Sequence, residues 1–379
     1  MTAVRALLVA TLLAAACGRS DRITVALAVL PSELPAYRAV VSEWERTSGR
    51  RVVLVPQGYG DIRRAIAAEA AAGRGTIDLV ELDVYSLATA AAAVRPFDPA
   101  ALAGLTDALD PAAVRAGSID GLRFLPHRLS WAALVWDATV LDRPPDTWSD
   151  LLVVARAHPG RIGFKGARYE GLTCDVLPFV WSAGGRGDVL DDAGARAAFE
   201  LFADLAPYLH PDSATFKEPT IAEAMARGEL ILHLNWPTVM TTYTALGLAP
   251  GRLRSAPLPR GPAGRATVLG GAYVAIPRNA PHPDAALALV RWVLGRGVQA
   301  RLARELGWFS PRTDVPPASD PALAGFVAMR GAVRPRPERP DYAALSRAWQ
   351  DAFRDVAFHG APPEAALAAA GHGLRGGRP

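Results

Sequence analysis

Three residues that follow apolar runs have side chains suited to gripping a small polar molecule. Glu33 comes just after the run 23–30, Asp83 just after 77–82, and Trp236 just after 228–235. In an α/β sheet, ligands sit beyond the carboxyl ends of the strands. A carboxylate accepts several hydrogen bonds at once, and an indole offers a flat apolar face. Plainer uses exist for all three: Glu33 as an acid favoured in a helix's first turn, Asp83 as a cap, Trp236 as core.

Covalent and cofactor chemistry finds less support. Neither Lys165 nor Lys217, the only lysines, follows a glycine, so no Gly-x-x-x-x-Gly-Lys phosphate loop exists. The seven histidines are scattered, without His-Glu-x-x-His, and no Gly-x-Ser-x-Gly occurs. Gly371-His372-Gly373-Leu374-Arg375-Gly376 has dinucleotide spacing but no strand before it, and is read as chance. Two cysteines, Cys17 and Cys174, exclude a disulfide scaffold and a cysteine-rich metal protein. Cys174 reads as a small buried residue. No cofactor or metal is expected. Paired carboxylates cannot be judged from sequence distance, so a glycosidase stays open.

The elements that must position these residues alternate. The continuous apolar run 23–30 suits a strand covered on both faces. Tyr37, Val40, Val41 and Trp44 then recur at helical spacing over 34–48, and Gly49 ends that helix. Strands follow at 51–55 and 77–82, with an alanine-rich helix between them that Asp61 would cap. Strand-like 130–136 leads to a helix from Trp148, which Pro144-Pro145 keeps from starting earlier. Helices are expected near 172–183, 191–206 and 219–227, strands at 228–235 and 267–276, and a long helical region over 283–306. Helices near 342–358 and 362–370 finish the chain. This is an open α/β pattern with crossover helices, and 379 residues suit about two domains.

The chain is half apolar and 21% charged, with 41 basic and 37 acidic residues interleaved, which gives no case for nucleic acid. At the N-terminus, Arg5 precedes an apolar run from Ala6 to Ala16, too short to span a bilayer and suited to a secretory signal. Ala14-Ala15-Ala16 then meets Cys17, which resembles a bacterial lipobox. Residues 1–16 are therefore expected to be a signal peptide and 17–22 a tether lipidated at Cys17, the only membrane attachment. Leu13 stands one place early for that motif, which leaves ordinary signal cleavage open.

Five stretches, in order, resemble the bacterial extracellular solute-binding proteins of sugar ABC importers, the family that includes maltose- and trehalose-binding proteins. They are Pro144-Pro145-Asp146-Thr147-Trp148-Ser149-Asp150-Leu151; Tyr169-Glu170-Gly171-Leu172-Thr173-Cys174 continuing to Trp181-Ser182-Ala183-Gly184-Gly185; Ala226-Arg227-Gly228-Glu229 through Asn235-Trp236-Pro237; Ala256-Pro257-Leu258-Pro259 with Gly270-Gly271-Ala272-Tyr273-Val274-Ala275-Ile276-Pro277; and Arg334-Pro335-Arg336-Pro337 with Tyr342 and Ser346. The resemblance implies a two-lobed periplasmic-binding-protein fold of type II, each lobe an open, mostly parallel sheet flanked by helices, with a cleft between. Lobe 1 would hold residues 21–130 plus 272–315, and lobe 2 residues 131–271 plus 316–379. It implies a monomeric, extracytoplasmic, lipid-anchored and non-enzymatic protein that closes about a hinge on a carbohydrate and hands it to an ABC permease.

By the same resemblance, Glu33, Arg63, Asp83, Glu170, Trp236, Gly271 and Arg336 match family positions at the ligand. The departures are equally specific. Ser130 stands where the family has an aspartate, Ala272 where the branch has tryptophan, and Thr238 where it has tyrosine. Ser130, Trp131 and Tyr273 are counted with the candidate ligand-binding residues, although Trp131 and Tyr273 are one place along in their strands and would point the other way in an ideal strand. His127 and Arg128 could add positive charge. These changes leave room for a smaller, modified or acidic ligand. A secreted glycosidase and a sensor's ligand-binding partner are the alternative readings.

Overall fold

Strand β1 (Arg22–Leu27) shows why the first apolar run is continuous. Val25 and Leu27 pack on one side of its sheet and Ala26 on the other, so both faces are covered. The computed structural model describes residues 22–375 apart from 338 and 340. The expected signal sequence and Cys17 lie outside the described residues.

β2 (Arg51–Pro56) and β3 (Leu79–Asp83) pair with β1 in parallel, and helices Leu34–Ser48 and Tyr59–Ala71 cross between them. The first of these helices buries Tyr37, Val40, Val41 and Trp44, and Gly49 ends it at φ 71°, donating its N–H to the Glu45 carbonyl. Asp61 does not cap the second. Gly58, in extended conformation, precedes it, and Asp61 sits in the first turn paired with Arg64. Thr147 does cap helix Trp148–Ala157, in a reciprocal capping box with Asp150. The expected helical region over 283–306 holds two helices, Pro283–Val293 and Arg296–Leu306.

β4 (Leu125–Trp131) and β5 (Ala133–Asp137) are separated only by Ala132, yet they belong to different sheets. β6 (Ile162–Gly163), β7 (Leu232–Asn235) and β8 (Leu253–Ala256) join β5 in the order β6-β7-β5-β8. β9 (Thr267–Ala275) returns to the first sheet, antiparallel to both β3 and β4, and β10 (Val333–Arg334) lies beside its first residues. The expectation of mostly parallel sheets holds for the first sheet, where three strand pairs are parallel and two antiparallel, and is corrected for the second. The first sheet is mixed, and in the second only β6 and β7 run parallel. The reason is the return path: a chain that leaves one lobe on β4 and comes back on β9 brings those strands in antiparallel.

The buried apolar residues separate accordingly. Two clusters line the faces of the first sheet, and one large cluster fills the second lobe. Trp308 packs in the first lobe and its neighbour Phe309 in the second, so the chain crosses again between them. Helix Glu170–Ser182 is buried on all sides from Gly171 onward, as expected of a core helix. The structure is thus a two-lobed α/β fold with helices flanking both sheets. Among the described residues, no helix is long and apolar enough to cross a membrane.

Candidate functional site

Three residues far apart in sequence meet between the lobes. Asp83 ends β3 in the first lobe, Glu170 opens helix Glu170–Ser182 in the second, and Arg336 follows β10. Arg336 Nη2 donates to Asp83 Oδ1 at 2.7 Å, and Nη1 donates to Glu170 Oε1 at 2.9 Å. The arginine side chain is 5% exposed, whereas those of Asp83 and Glu170 are 18% and 20% exposed. The carboxylates therefore form the accessible polar surface and the guanidinium lies behind them. Asp83 Oδ1 also takes the Tyr85 N–H at 3.1 Å. Asp83 Oδ2 has no partner among the described residues.

Aromatic rings and hydroxyls frame this triad. The Arg336 guanidinium lies 4.9 Å from the Tyr85 ring centroid, and the Tyr85 and Tyr342 rings are 6.2 Å apart. Tyr342 donates its hydroxyl to Glu170 Oε1, and Ser346 donates to Oε2 at 2.8 Å. Thr173 and Gln350 extend this network into the lobe, with Gln350 donating to both hydroxyl oxygens. Burial and the nearby Asp83 and Glu170 charges push the Tyr85 phenol up to about 12, against the pull of Arg336 and Arg63. Arg63, half-buried on helix Tyr59–Ala71, has no ion pair among the described residues.

Glu33 is placed differently. It is 1% exposed, and its oxygens take the Leu30 N–H, the Trp308 indole N–H and one Arg128 N–H. Arg128 also donates to the Ala28 carbonyl at 2.8 Å and lies 4.3 Å from the Trp308 ring centroid. Its Nε is 3.2 Å from Glu81 Oε1, which also meets His127 Nδ1 at 2.8 Å. Burial pushes the Glu81 carboxyl up, but Arg128, His127 and the Ala28 N–H outweigh it and hold Glu81 down at about 2. Glu33 thus belongs to a satisfied charge network inside lobe 1, apart from the Asp83 triad.

Residues on the crossing strands also have structural partners. Trp131 stacks on Phe309 at 4.2 Å between centroids, and its indole donates to the Phe326 carbonyl at 2.6 Å. Tyr273 is buried and donates its hydroxyl to the Ala113 carbonyl. Neither ring presents a free face to the cleft, because alternation along β4 and β9 turns both into the cores. Gly271 has φ +143°, and a Cβ there would come 2.7 Å from the Arg128 carbonyl, so its close approach is strand to strand. Ser130 is half-buried opposite Gly270.

Trp236 stands in a second polar cluster on lobe 2. Its indole donates to Glu218 Oε1 at 3.3 Å, and Tyr169 donates to Glu218 Oε2 at 2.8 Å. Lys165 Nζ is 3.0 Å from Asp175 Oδ1, 3.8 Å from Glu218 Oε1 and 5.3 Å from the Trp236 ring centroid. Burial raises the Asp175 carboxyl to about 6 despite the Lys165 charge. Sequence reasoning missed Glu218, Lys165 and Tyr85. The signal available for Lys165 was its rarity, since it is one of two lysines and sits beside an apolar residue.

Residues 39–325 match the model of the family described as bacterial extracellular solute-binding protein. A probable ABC transporter-binding protein of Deinococcus radiodurans is 31% identical over 181 residues, 42% of this chain and 43% of that protein. The match thus spans less than half the length of that curated relative. Among solved structures, maltose-bound MalE3 of T. maritima superposes with a TM-score of 0.83 at 24% identity, covering 93% of this chain and 99% of that one. A solute-binding protein of an ABC transporter from Thermotoga lettingae, bound to α-D-tagatose, gives 0.82 at 20% identity, covering 94% and 99%. At these identities the superpositions speak for the two-lobed fold.

Proposed function

The chain belongs to the bacterial extracellular solute-binding proteins, and on that premise we propose that it captures a carbohydrate between its lobes and delivers it, unaltered, to an ABC import permease. The observation that supports this most is the convergence of Asp83, Glu170 and Arg336 from two lobes and a crossing segment. Their accessible surface is carboxylate oxygen beside the Tyr85 and Tyr342 rings, which suits hydroxyl donors with apolar C–H faces. Binding that favours the closed arrangement of the lobes gives the permease a difference between loaded and empty protein. Export on residues 1–16, attachment through a lipid on Cys17 and a monomeric state complete the reading.

A thermal-shift panel tests it, using maltose, trehalose, tagatose, a polyol and a sugar acid. One neutral sugar raises the melting temperature with concentration, and the sugar is recovered unchanged. A panel with no shift, or the release of a cleavage product, overturns the proposal; the second result favours the glycosidase.

A further inference from the structure

Lys165 is fully buried, and the only carboxylates within 4 Å of its ammonium among the described residues are Asp175 and Glu218. Glu218 begins helix Glu218–Ala226, where the dipole favours an acid. Its two oxygens hold rings from different elements. Tyr169 immediately precedes helix Glu170–Ser182, and Trp236 immediately follows β7. Both residues remain partly exposed, and Tyr169 is the neighbour of Glu170 in the triad. The cluster also touches the passage between the lobes, since a Cβ on Gly270 of β9 would lie 2.8 Å from Trp236 Cζ3. A carboxylate that takes the edge N–H of one ring and the O–H of another fixes both planes and enriches their faces for C–H groups.

We propose that Glu218 is a positioning residue for ligand capture, setting Trp236 and Tyr169 as two fixed aromatic faces, with Lys165 as its buried countercharge. This rests on the carbohydrate reading above. Glu218 acts through the rings, so its loss moves the rings first and the affinity second.

The test uses the full chain with Glu218→Ala and Glu218→Gln, each measured against its own Trp236→Phe counterpart. The probes are maltose, trehalose and tagatose. Trp236 emission, taken as that difference, shifts in Glu218→Ala and returns in Glu218→Gln, whose amide still accepts from the indole and can donate to the phenol oxygen. The association constant of whichever probe binds the wild-type chain falls about tenfold in Glu218→Ala and recovers to within about threefold in Glu218→Gln. If Glu218→Ala does not fold, Glu218→Asp serves instead, since it is one methylene too short to reach both rings. Unchanged Trp236 emission overturns the positioning role. So does an unchanged association constant beside a shifted emission. If no probe binds the wild-type chain, the carbohydrate reading fails, and the emission comparison alone decides whether Glu218 holds the ring.

Discussion

Asp83 and Glu170, on opposite lobes, are joined through the single guanidinium of Arg336. Replacing Arg336 by methionine leaves two carboxylates facing each other around a buried apolar stem. Removing one partner of a buried pair costs about 3 kcal/mol. Arg336→Met therefore lowers the unfolding free energy read from urea denaturation by that amount, and with it the midpoint, while Arg336→Lys, which cannot fork to both acids, recovers only part. Equal midpoints in all three chains would show that the bridge carries no stability.

Gly270→Ala is expected to displace Trp236. The added methyl group meets Cζ3 at 2.8 Å and Cη2 at 3.1 Å, and a ring can swing where backbone cannot. The expected cost is about 1–3 kcal/mol, with a changed tryptophan emission. Gly271→Ala is expected to cost more, because its obstacle is the Arg128 carbonyl at 2.7 Å and its φ is +143°. Denaturant curves of the two variants check the order.

Trp131→Phe separates stability from binding. It keeps a ring against Phe309 but loses the hydrogen bond to the Phe326 carbonyl. That bond and its orphaned acceptor are worth about 1–3 kcal/mol. Stability falls by this much, and affinity for the sugar identified by thermal shift stays within about twofold on the same grounds. A large loss of affinity would place Trp131 at the ligand after all.

His233 gives a pH signature. Burial, with a smaller contribution from the Lys165 charge, lowers its imidazole from 6.5 to about 3 against the pull of the Leu234 carbonyl. The folded state thus keeps it neutral where the unfolded chain protonates it. Its contribution, on the order of 5 kcal/mol, is present above pH 6.5 and is lost as pH falls from 6.5 to 3. Asp175, raised to about 6, works the other way: the folded state binds its proton first, so stability is gained as pH falls through 6. The difference in melting temperature between wild type and His233→Gln isolates the histidine, since Asp175 is common to both. That difference shrinks on acidification; a constant difference from pH 7 to 4 would contradict it.

Some of the candidate site was legible in the residue string. Asp83 at a strand end, Glu170 in its motif and Arg336 in a proline-rich segment could each be singled out, and they do meet. Their contact is a product of topology, since 253 residues separate Asp83 from Arg336. The inward turn of Glu33 could not be read, because a polar residue after a strand turns in only once Trp308 and Arg128 supply partners from elsewhere. Glu218 stayed hidden for the same reason, its donors lying 49 and 18 positions away. In the fold, β1, its neighbours and their helices could be read from apolar period and breakers. The two-residue β6 and β10 and the direction of the second sheet could not, because pairing is decided by distant partners.

The path of β9 has a consequence for biosynthesis. The first sheet takes β9 between β3 and β4, so a nascent chain that has delivered only its first 131 residues holds an unfinished edge. That edge waits for Thr267–Ala275, made after the whole second sheet. A polypeptide with this routing cannot complete its first sheet until most of its length has been made.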